Sequence, residues 1–186
     1  LKSISMARIT RCGSVHTAEK YMRHLEETFL FFTIRRFSFK VREQDASNKK
    51  AYCVDTGMAM ALGFRSSPDE GRLMENLVAI ELHKDKLDGK FDVFFWRGAG
   101  NEEVDFVIRQ RTQVVALLQV CRDISDPGTH DREVRALVQA GHALKCRNLV
   151  ILTQDTERET SVQWFGHKAR IRCVPLWKWL SSPTRP

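Results

Sequence analysis

The sequence lacks the signatures of several large classes of protein. Its longest apolar run, Phe29–Ile34 with Thr33 inside it, is far shorter than the roughly 20 residues that cross a bilayer. No signal peptide is recognisable, and the phosphate-binding pattern G-x-x-x-x-G-K-[ST] does not occur. We therefore expect no membrane partner and no ATP site within the chain.

Cysteine and histidine are present without the spacing of metal ligands. The five cysteines are odd in number and widely spread, and none forms a CxxC pair, which argues against a disulfide framework or a zinc site. The six histidines show no ligand spacing either. A reducing compartment fits this usage best, so a cytoplasmic location is expected.

Positive charge is concentrated at the start of the chain. Residues 1–50 contain eleven Lys and Arg against five Asp and Glu, whereas residues 51–186 contain nineteen against eighteen. Such an excess attracts phosphates through counterion release, but a solvated face or an acidic partner domain would explain it equally well. Nucleic acid is therefore one candidate partner.

Residues 1–59 are predicted to form a small basic module. Apolar residues at helical spacing predict a helix over Thr17–Thr28, and aromatic and β-branched residues predict strands at Phe29–Phe39 and Ala51–Asp55. A helix followed by a two-stranded wing is the outline of a winged-helix module. The turn residues at Asp55–Gly57 and at 65–69 predict a hinge.

Eight cations on or near this helix and wing are candidate nucleic-acid contacts, although three glutamates on the helix argue against tight insertion into a major groove. The alternative is a module that only connects neighbouring domains. The candidates are Lys20, Arg23, Arg35, Arg36, Lys40, Arg42, Lys49 and Lys50.

Residues 60–186 are predicted to form a second domain of the α/β class. A helix precedes a three-stranded meander and a second helix crosses over to further strands, which implies a mixed sheet with helices on both faces. The predicted elements are a helix at Glu70–His83, strands at Phe91–Trp96, Glu103–Arg109 and Val114–Cys121, a helix from about Thr129, strands at Leu149–Leu152 and Arg170–Val174 around a polar loop, and a final helix at 175–180.

Three polar residues occupy positions that a buried sheet would give to apolar ones. They are Glu75 in the first helix, Asp105 in the second strand of the meander and Gln119 in the third. Burying an unpaired carboxylate is costly, and a divalent cation held by carboxylate and amide oxygens would satisfy it. Hard oxygen ligands favour Mg²⁺ or Mn²⁺. These three are the candidate catalytic and metal-binding residues.

The register of the meander decides whether that site exists. Opposite residues of an antiparallel pair point the same way, so Asp105 and Gln119 share a face only with a three-residue loop or a bulge in their hairpin. A plain two-residue turn at Arg111–Thr112 would place Asp105 opposite Leu118 instead.

The segments around these residues resemble the three motifs of the PD-(D/E)xK nuclease superfamily, which has the restriction-endonuclease-like fold. The motifs are Arg72–Val78, Glu102–Val107 and Leu118–Cys121. More narrowly, the chain resembles the nuclease-like domain at the C-terminus of archaeal and bacterial AAA-type ATPases. Ser14–Phe39 and the Tyr-x-x-Asp-Thr-Gly run at Tyr52–Gly57 resemble the winged-helix segment that precedes that domain.

The resemblance implies that Glu75, Asp105 and the first residue of an E-x-K pair hold one or two metals, while its lysine positions or activates water. Here that pair reads Gln119-Val120-Cys121. A carboxylate has become an amide and the lysine a thiol, and Arg122 is expected to point to the other face of the strand. Both changes weaken the catalytic interpretation.

The sequence therefore predicts a nuclease-fold module at the end of an AAA-type ATPase that binds nucleic acid and is catalytically degenerate. The start at Leu1 is consistent with a piece of a longer protein. One alternative is an active Mg²⁺- or Mn²⁺-dependent DNA or RNA endonuclease. The other is a purely structural or protein-interaction module.

Overall fold

The structure is a computed structural model that describes residues 15–40, 42, 44, 47–62, 70–100, 102–164, 166–183 and 185. This part of the chain contains five helices and eight strands, so the protein belongs to the α/β class, as predicted. The chain divides into two compact units, residues 1–69 and residues 70–186. The boundary predicted between residues 59 and 60 falls within a helix of the first unit.

The described part of the first unit begins with a helix and an antiparallel strand pair. Helix α1 (Val15–Glu27) is followed by β1 (Phe31–Arg36) and β2 (Lys49–Cys53). Phe32 and Tyr52 lie opposite each other and are buried, with ring centroids 5.7 Å apart. Stacked aromatic pairs of this kind stabilise a strand pair beyond the area they bury. The predicted helix and two strands are confirmed, and the winged-helix module stays a prediction.

The residues after β2 begin a helix, whereas the sequence predicts a hinge turn there. Helix α2 covers Thr56–Leu62, and Oδ1 of Asp55 accepts a hydrogen bond from the backbone N–H of Met58 at 2.6 Å. This contact is a side-chain cap at the start of the helix. The turn prediction is wrong because Asp and Gly are typical of turns as well as of helix ends. The other predicted hinge, at residues 65–69, lies outside the described residues.

The second unit contains a mixed sheet. Helix α3 (Glu70–Leu87) precedes the antiparallel meander, which is followed by α4 (Pro127–Leu144), three further strands and α5 (Leu176–Ser181). The strands are β3 (Asp92–Arg97), β4 (Glu103–Gln110), β5 (Gln113–Val120), β6 (Leu149–Thr153), β7 (Arg158–Trp164) and β8 (His167–Pro175). In space they follow the order β3-β4-β5-β6-β8-β7, with parallel pairs at β5–β6 and β6–β8.

One strand of this sheet corrects the prediction from sequence. The stretch expected to be a polar loop contains β7, which pairs in antiparallel with β8 over seven residue pairs from Arg158–Cys173 to Trp164–His167. Edge strands of antiparallel pairs need only one apolar face, so their sequences stay polar. β7 reads Arg-Glu-Thr-Ser-Val-Gln-Trp and is largely exposed, which is why its composition suggests a loop.

Helix α4 positions the candidate site described below. Asp126 caps its start by accepting a hydrogen bond from the Thr129 N–H at 2.7 Å, and Pro127 occupies the first turn, where its missing N–H does no harm. The helix therefore begins two residues before the predicted start near Thr129. It packs against β4, β5, β6, β7 and β8, while α3 packs against β3 and β5.

Candidate functional site

A bulge in the β4–β5 hairpin brings Asp105 and Gln119 to the same face of the sheet. The turn has two residues, since Gln110 pairs with Gln113. The register then shifts: Arg109 pairs with Val114 but Ile108 pairs with Ala116, so one residue of β5 has no partner opposite it. Phe106 consequently faces Leu118. Continuing this register by one residue places Asp105 opposite Gln119, and a hydrogen bond joins the two. The predicted condition for a shared face is met by the bulge.

Hydrogen bonds confirm that these two residues meet. The backbone N–H of Asp105 donates to Oε1 of Gln119 at 3.2 Å, and Oδ2 of Asp105 accepts from the backbone N–H of Val120 at 3.0 Å. Both side chains are buried, with 7% of Asp105 and 6% of Gln119 exposed. The cost of burying these polar groups is therefore offset within the hairpin itself.

Helix α4 adds two residues that the sequence analysis did not single out. Nε2 of Gln119 donates to Oε2 of Glu133 at 2.6 Å, and Glu133 is itself only 6% exposed. Its other oxygen, Oε1, accepts from Nη2 and Nε of Arg132 at 2.6 and 3.0 Å. The neighbouring carboxylates of Glu133 and Asp105 raise the pKa of Arg132, so this guanidinium stays charged. Asp105, Gln119 and Glu133 are called the buried polar cluster below, and Arg132, whose side chain is 66% exposed, flanks it.

A signal for Glu133 was present in the sequence. Glu133 lies four residues before Leu137 and eleven before Leu144, so it belongs to the stripe of α4 that faces the sheet. A carboxylate on an apolar helix stripe is as unusual as Asp105 inside an apolar strand. Applying the same search for polar residues at apolar positions to α4 would have identified Glu133.

Cys121 is a buried neutral thiol. It is 8% exposed, and its Sγ contacts the backbone carbonyl oxygen of Asp123 at 3.1 Å. Burial, followed by the nearby carboxylate of Glu133, raises the pKa of Cys121 to about 11. The side chain therefore supplies no positive charge near pH 7.

Arg122, the residue after Cys121, pairs with residues outside the buried polar cluster. Arg122 forms an ion pair with Glu70 at 2.7 Å and donates from Nε to Oε1 of Gln154 at 2.9 Å.

Glu75 is half-buried on α3 and makes a polar or electrostatic contact of its own. A shared site for Glu75 with Asp105 and Gln119 stays a prediction.

The buried polar cluster offers a divalent cation a poor set of ligands. Oε1 is the only oxygen of Gln119 that can bind a metal, and it already accepts a hydrogen bond from Asp105. Glu133 has both oxygens engaged by Gln119 and Arg132. In the described part of the chain, no group of three or more His, Cys, Asp or Glu residues is arranged to hold a metal ion. The arrangement does not fit Mg²⁺ or Mn²⁺, and the metal stays a prediction.

The candidate nucleic-acid contacts fall into two groups in the first unit. Lys20 and Arg23 are exposed on α1. The other six lie on β1, on β2 or in the segment between them, and all of these except the half-buried Lys50 are exposed. They are Arg35, Arg36, Lys40, Arg42, Lys49 and Lys50, called the basic hairpin below.

The basic hairpin includes a cross-strand pair of like charges. Arg35 lies directly opposite Lys49 in the β1–β2 register. Like charges in this position repel each other across the strand pair.

Comparison with known proteins finds a described family that matches each unit. Residues 70–177 match the family described as "Domain of unknown function (DUF4143)", which covers more than half of the chain. The chain belongs to the DUF4143 family. Residues 2–69 match another domain of unknown function, DUF8612. The two matches divide the chain where the two compact units meet.

The relatives are longer than this chain. An uncharacterized protein of Methanocaldococcus jannaschii, MJ1544, is 30% identical over 161 residues, which cover 86% of this chain and 35% of that protein. An uncharacterized protein of Haemophilus influenzae is 30% identical over 124 residues, covering 64% of this chain and 28% of that protein. The chain thus spans about a third of the length of these relatives. No solved structure gives a significant match.

The DUF4143 match contains the whole buried polar cluster as well as Glu75. It gives no activity for these residues. Among the described helices, none is long and apolar enough to cross a membrane.

Proposed function

We propose that this chain is a nuclease-fold module that binds nucleic acid through its first unit and does not cut it. The observation that carries the proposal is the engagement of Gln119. Its carbonyl oxygen accepts from Asp105 and its amide donates to Glu133, so the position of the catalytic carboxylate is held by hydrogen bonds within the protein.

The fold assignment rests on topology and on the resemblance together. A helix, a three-stranded antiparallel meander, a crossover helix and a parallel strand follow one another in the second unit. The order agrees with the PD-(D/E)xK core, and the bulged hairpin puts Asp105 and Gln119 together as that core requires. These features support a restriction-endonuclease-like fold.

The basic hairpin supports the binding half of the proposal. Exposed Arg35 and Lys49 stand opposite each other, and such a concentration of positive charge attracts the phosphates of a nucleic-acid backbone. Helix α1 contributes Lys20 and Arg23 as further candidate contacts. A winged-helix-like module uses a helix and a wing in this way.

A longer polypeptide is the natural setting for the module. The relatives extend well beyond the matched region, and DUF4143 occurs as a C-terminal domain of AAA ATPase-like proteins. An ATPase domain in the same polypeptide is therefore the proposed partner. That domain would bind and hydrolyse ATP, since this sequence contains no phosphate-binding loop of the G-x-x-x-x-G-K-[ST] type.

Binding is tested by fluorescence anisotropy with labelled single- and double-stranded DNA and RNA in EDTA, over a series of salt concentrations. We expect binding without metal, with log K falling linearly as log salt rises. Absence of binding to all four probes at low salt would instead favour a structural or protein-interaction role.

A further inference from the structure

The segment that joins the two strands of the basic hairpin contains an exposed aromatic side chain. Phe39 lies between β1 and β2, directly before Lys40, and is 75% exposed. We propose that Phe39 is a stacking platform for an unpaired base, so that the basic hairpin binds single-stranded nucleic acid in preference to a duplex. The inference rests on the proposed function and adds the class of nucleic acid to it.

The ring of Phe39 is supported by a buried neighbour. Phe37 is 7% exposed, and its ring meets that of Phe39 edge to face, with centroids 5.2 Å apart and planes at 85°. Aromatic pairs favour this arrangement, which stabilises them beyond the area they bury. Phe37 therefore anchors Phe39, while most of the Phe39 side chain stays exposed to water.

The backbone on both sides of Phe39 is also fixed. The side chain of Gln44 is buried, and its Nε2 donates to the backbone carbonyl oxygen of Ser38. The backbone N–H of Gln44 donates to the carbonyl oxygen of Lys40 at 3.2 Å, and the Lys40 N–H donates to Oγ of Ser38 at 3.1 Å. Both neighbours of Phe39 thus belong to one hydrogen-bonded turn. A ring on a preorganised segment loses little conformational entropy when a ligand stacks on it.

The sequence around Phe39 is rich in positive charge. Lys40 follows it directly, and Arg35 and Arg36 end β1; all three cations are exposed. Proteins that bind single strands without sequence preference combine cations, which contact the phosphates, with aromatic rings on which bases stack. In a duplex each base is covered by its neighbours, so a protein ring reaches its face only after unstacking. The combination therefore favours an unpaired strand.

The test is fluorescence anisotropy of the full chain in EDTA with labelled probes of equal length. The probes are oligothymidylate, oligouridylate, a DNA duplex and an abasic DNA strand, which has the phosphates without the bases. We expect the two base-bearing single strands to bind more tightly than the duplex, and roughly 10-fold more tightly than the abasic strand. Phe39→Ala should remove most of that 10-fold difference and leave the log–log salt slope unchanged, because the ring carries no charge.

Three further variants make the test specific. Phe39→Trp keeps a stacking surface and should keep the preference for bases. Trp177→Ala removes an aromatic side chain that is 65% exposed in the second unit, and it should leave every affinity unaltered. Lys40→Ala should instead weaken the binding of all four probes to a similar degree and reduce the salt slope by about 1.

The possible outcomes distinguish this inference from the proposed function. A preference for single strands that depends both on the bases and on Phe39 supports the inference. Equal affinity of the natural chain for oligothymidylate and the abasic strand would overturn it and leave nucleic-acid binding intact, and this comparison needs no variant that could fail to fold. Tighter binding of the duplex would also overturn it. So would a Phe39→Ala variant that binds every probe like the natural chain, which would instead indicate a protein partner for the ring. Absence of binding to all four probes would contradict the proposed function, and this inference with it.

Discussion

The two units of this protein balance their charges in different ways. In the first unit, the exposed cations Arg35 and Lys49 face each other across a hairpin. In the second, the buried acids Asp105 and Glu133 receive hydrogen bonds from groups in the same unit. The carboxylates of the second unit are thus engaged within the protein, whereas the exposed cations of the hairpin form a concentration of positive charge that attracts anions. This difference is why the proposal places nucleic-acid binding in the first unit.

The largest expected effect is the loss of nucleic-acid binding when the basic hairpin is neutralised. Changing Arg35, Arg36 and Lys49 to Ala should weaken binding on the order of 100-fold at 0.1 M salt and reduce the log–log salt slope by about 3. Anisotropy titrations at several salt concentrations measure both quantities.

The matched control removes three exposed cations from the second unit instead. Alanine at Lys86, Arg147 and Lys168 makes the same change in net charge, and binding should change by less than about threefold, the level expected from long-range charge alone. Equal losses in the two triple variants would remove the distinction between the units.

An intermediate effect is expected when the buried polar cluster is opened. Glu133→Ala leaves Nε2 of Gln119 without its acceptor, which should lower the free energy of unfolding by about 2 kcal/mol. Urea denaturation measures this change, and Asp131→Ala on the exposed side of the same helix is the control. Nucleic-acid affinity should stay the same, and a parallel loss of affinity would show that the cluster takes part in binding.

The smallest effect concerns the cap of α4 at acid pH. The N–H and the side chain of Thr129 hold the pKa of Asp126 below its usual range. The ionised cap therefore contributes stability above the pKa of the unfolded chain, and the contribution is lost as pH falls through the lowered pKa. Asp126→Asn keeps the cap without titrating, so its Tm should fall less steeply below about pH 4 than that of the natural chain. Parallel curves would contradict this origin of the shift.

Periodicity was sufficient to predict most of the secondary structure. Apolar stripes and strand runs located α1, α3, α4 and the meander, since burial of one face is what those patterns record. Strand β7 was not predicted because its pairing with β8 needs no run of apolar residues. Helix α2 was not predicted because the residues at its start are also typical of a turn.

The candidate site was predictable only in part. The sequence identified Asp105 and Gln119 as unusual polar residues, and it defined the register under which they would meet. The bulge that produces this register depends on how β5 packs, which no local pattern specifies. The contact between Gln119 and Glu133 joins residues 14 positions apart through α4, so it follows from tertiary packing.

The most direct test is incubation of labelled single- and double-stranded DNA and RNA with this chain and its Asp105→Ala variant, in Mg²⁺ and in Mn²⁺. The account predicts that both proteins bind at least one probe and leave every probe intact. Metal-dependent cutting by the natural chain that Asp105→Ala abolishes would contradict it, and would establish a nuclease despite Gln119 and Cys121.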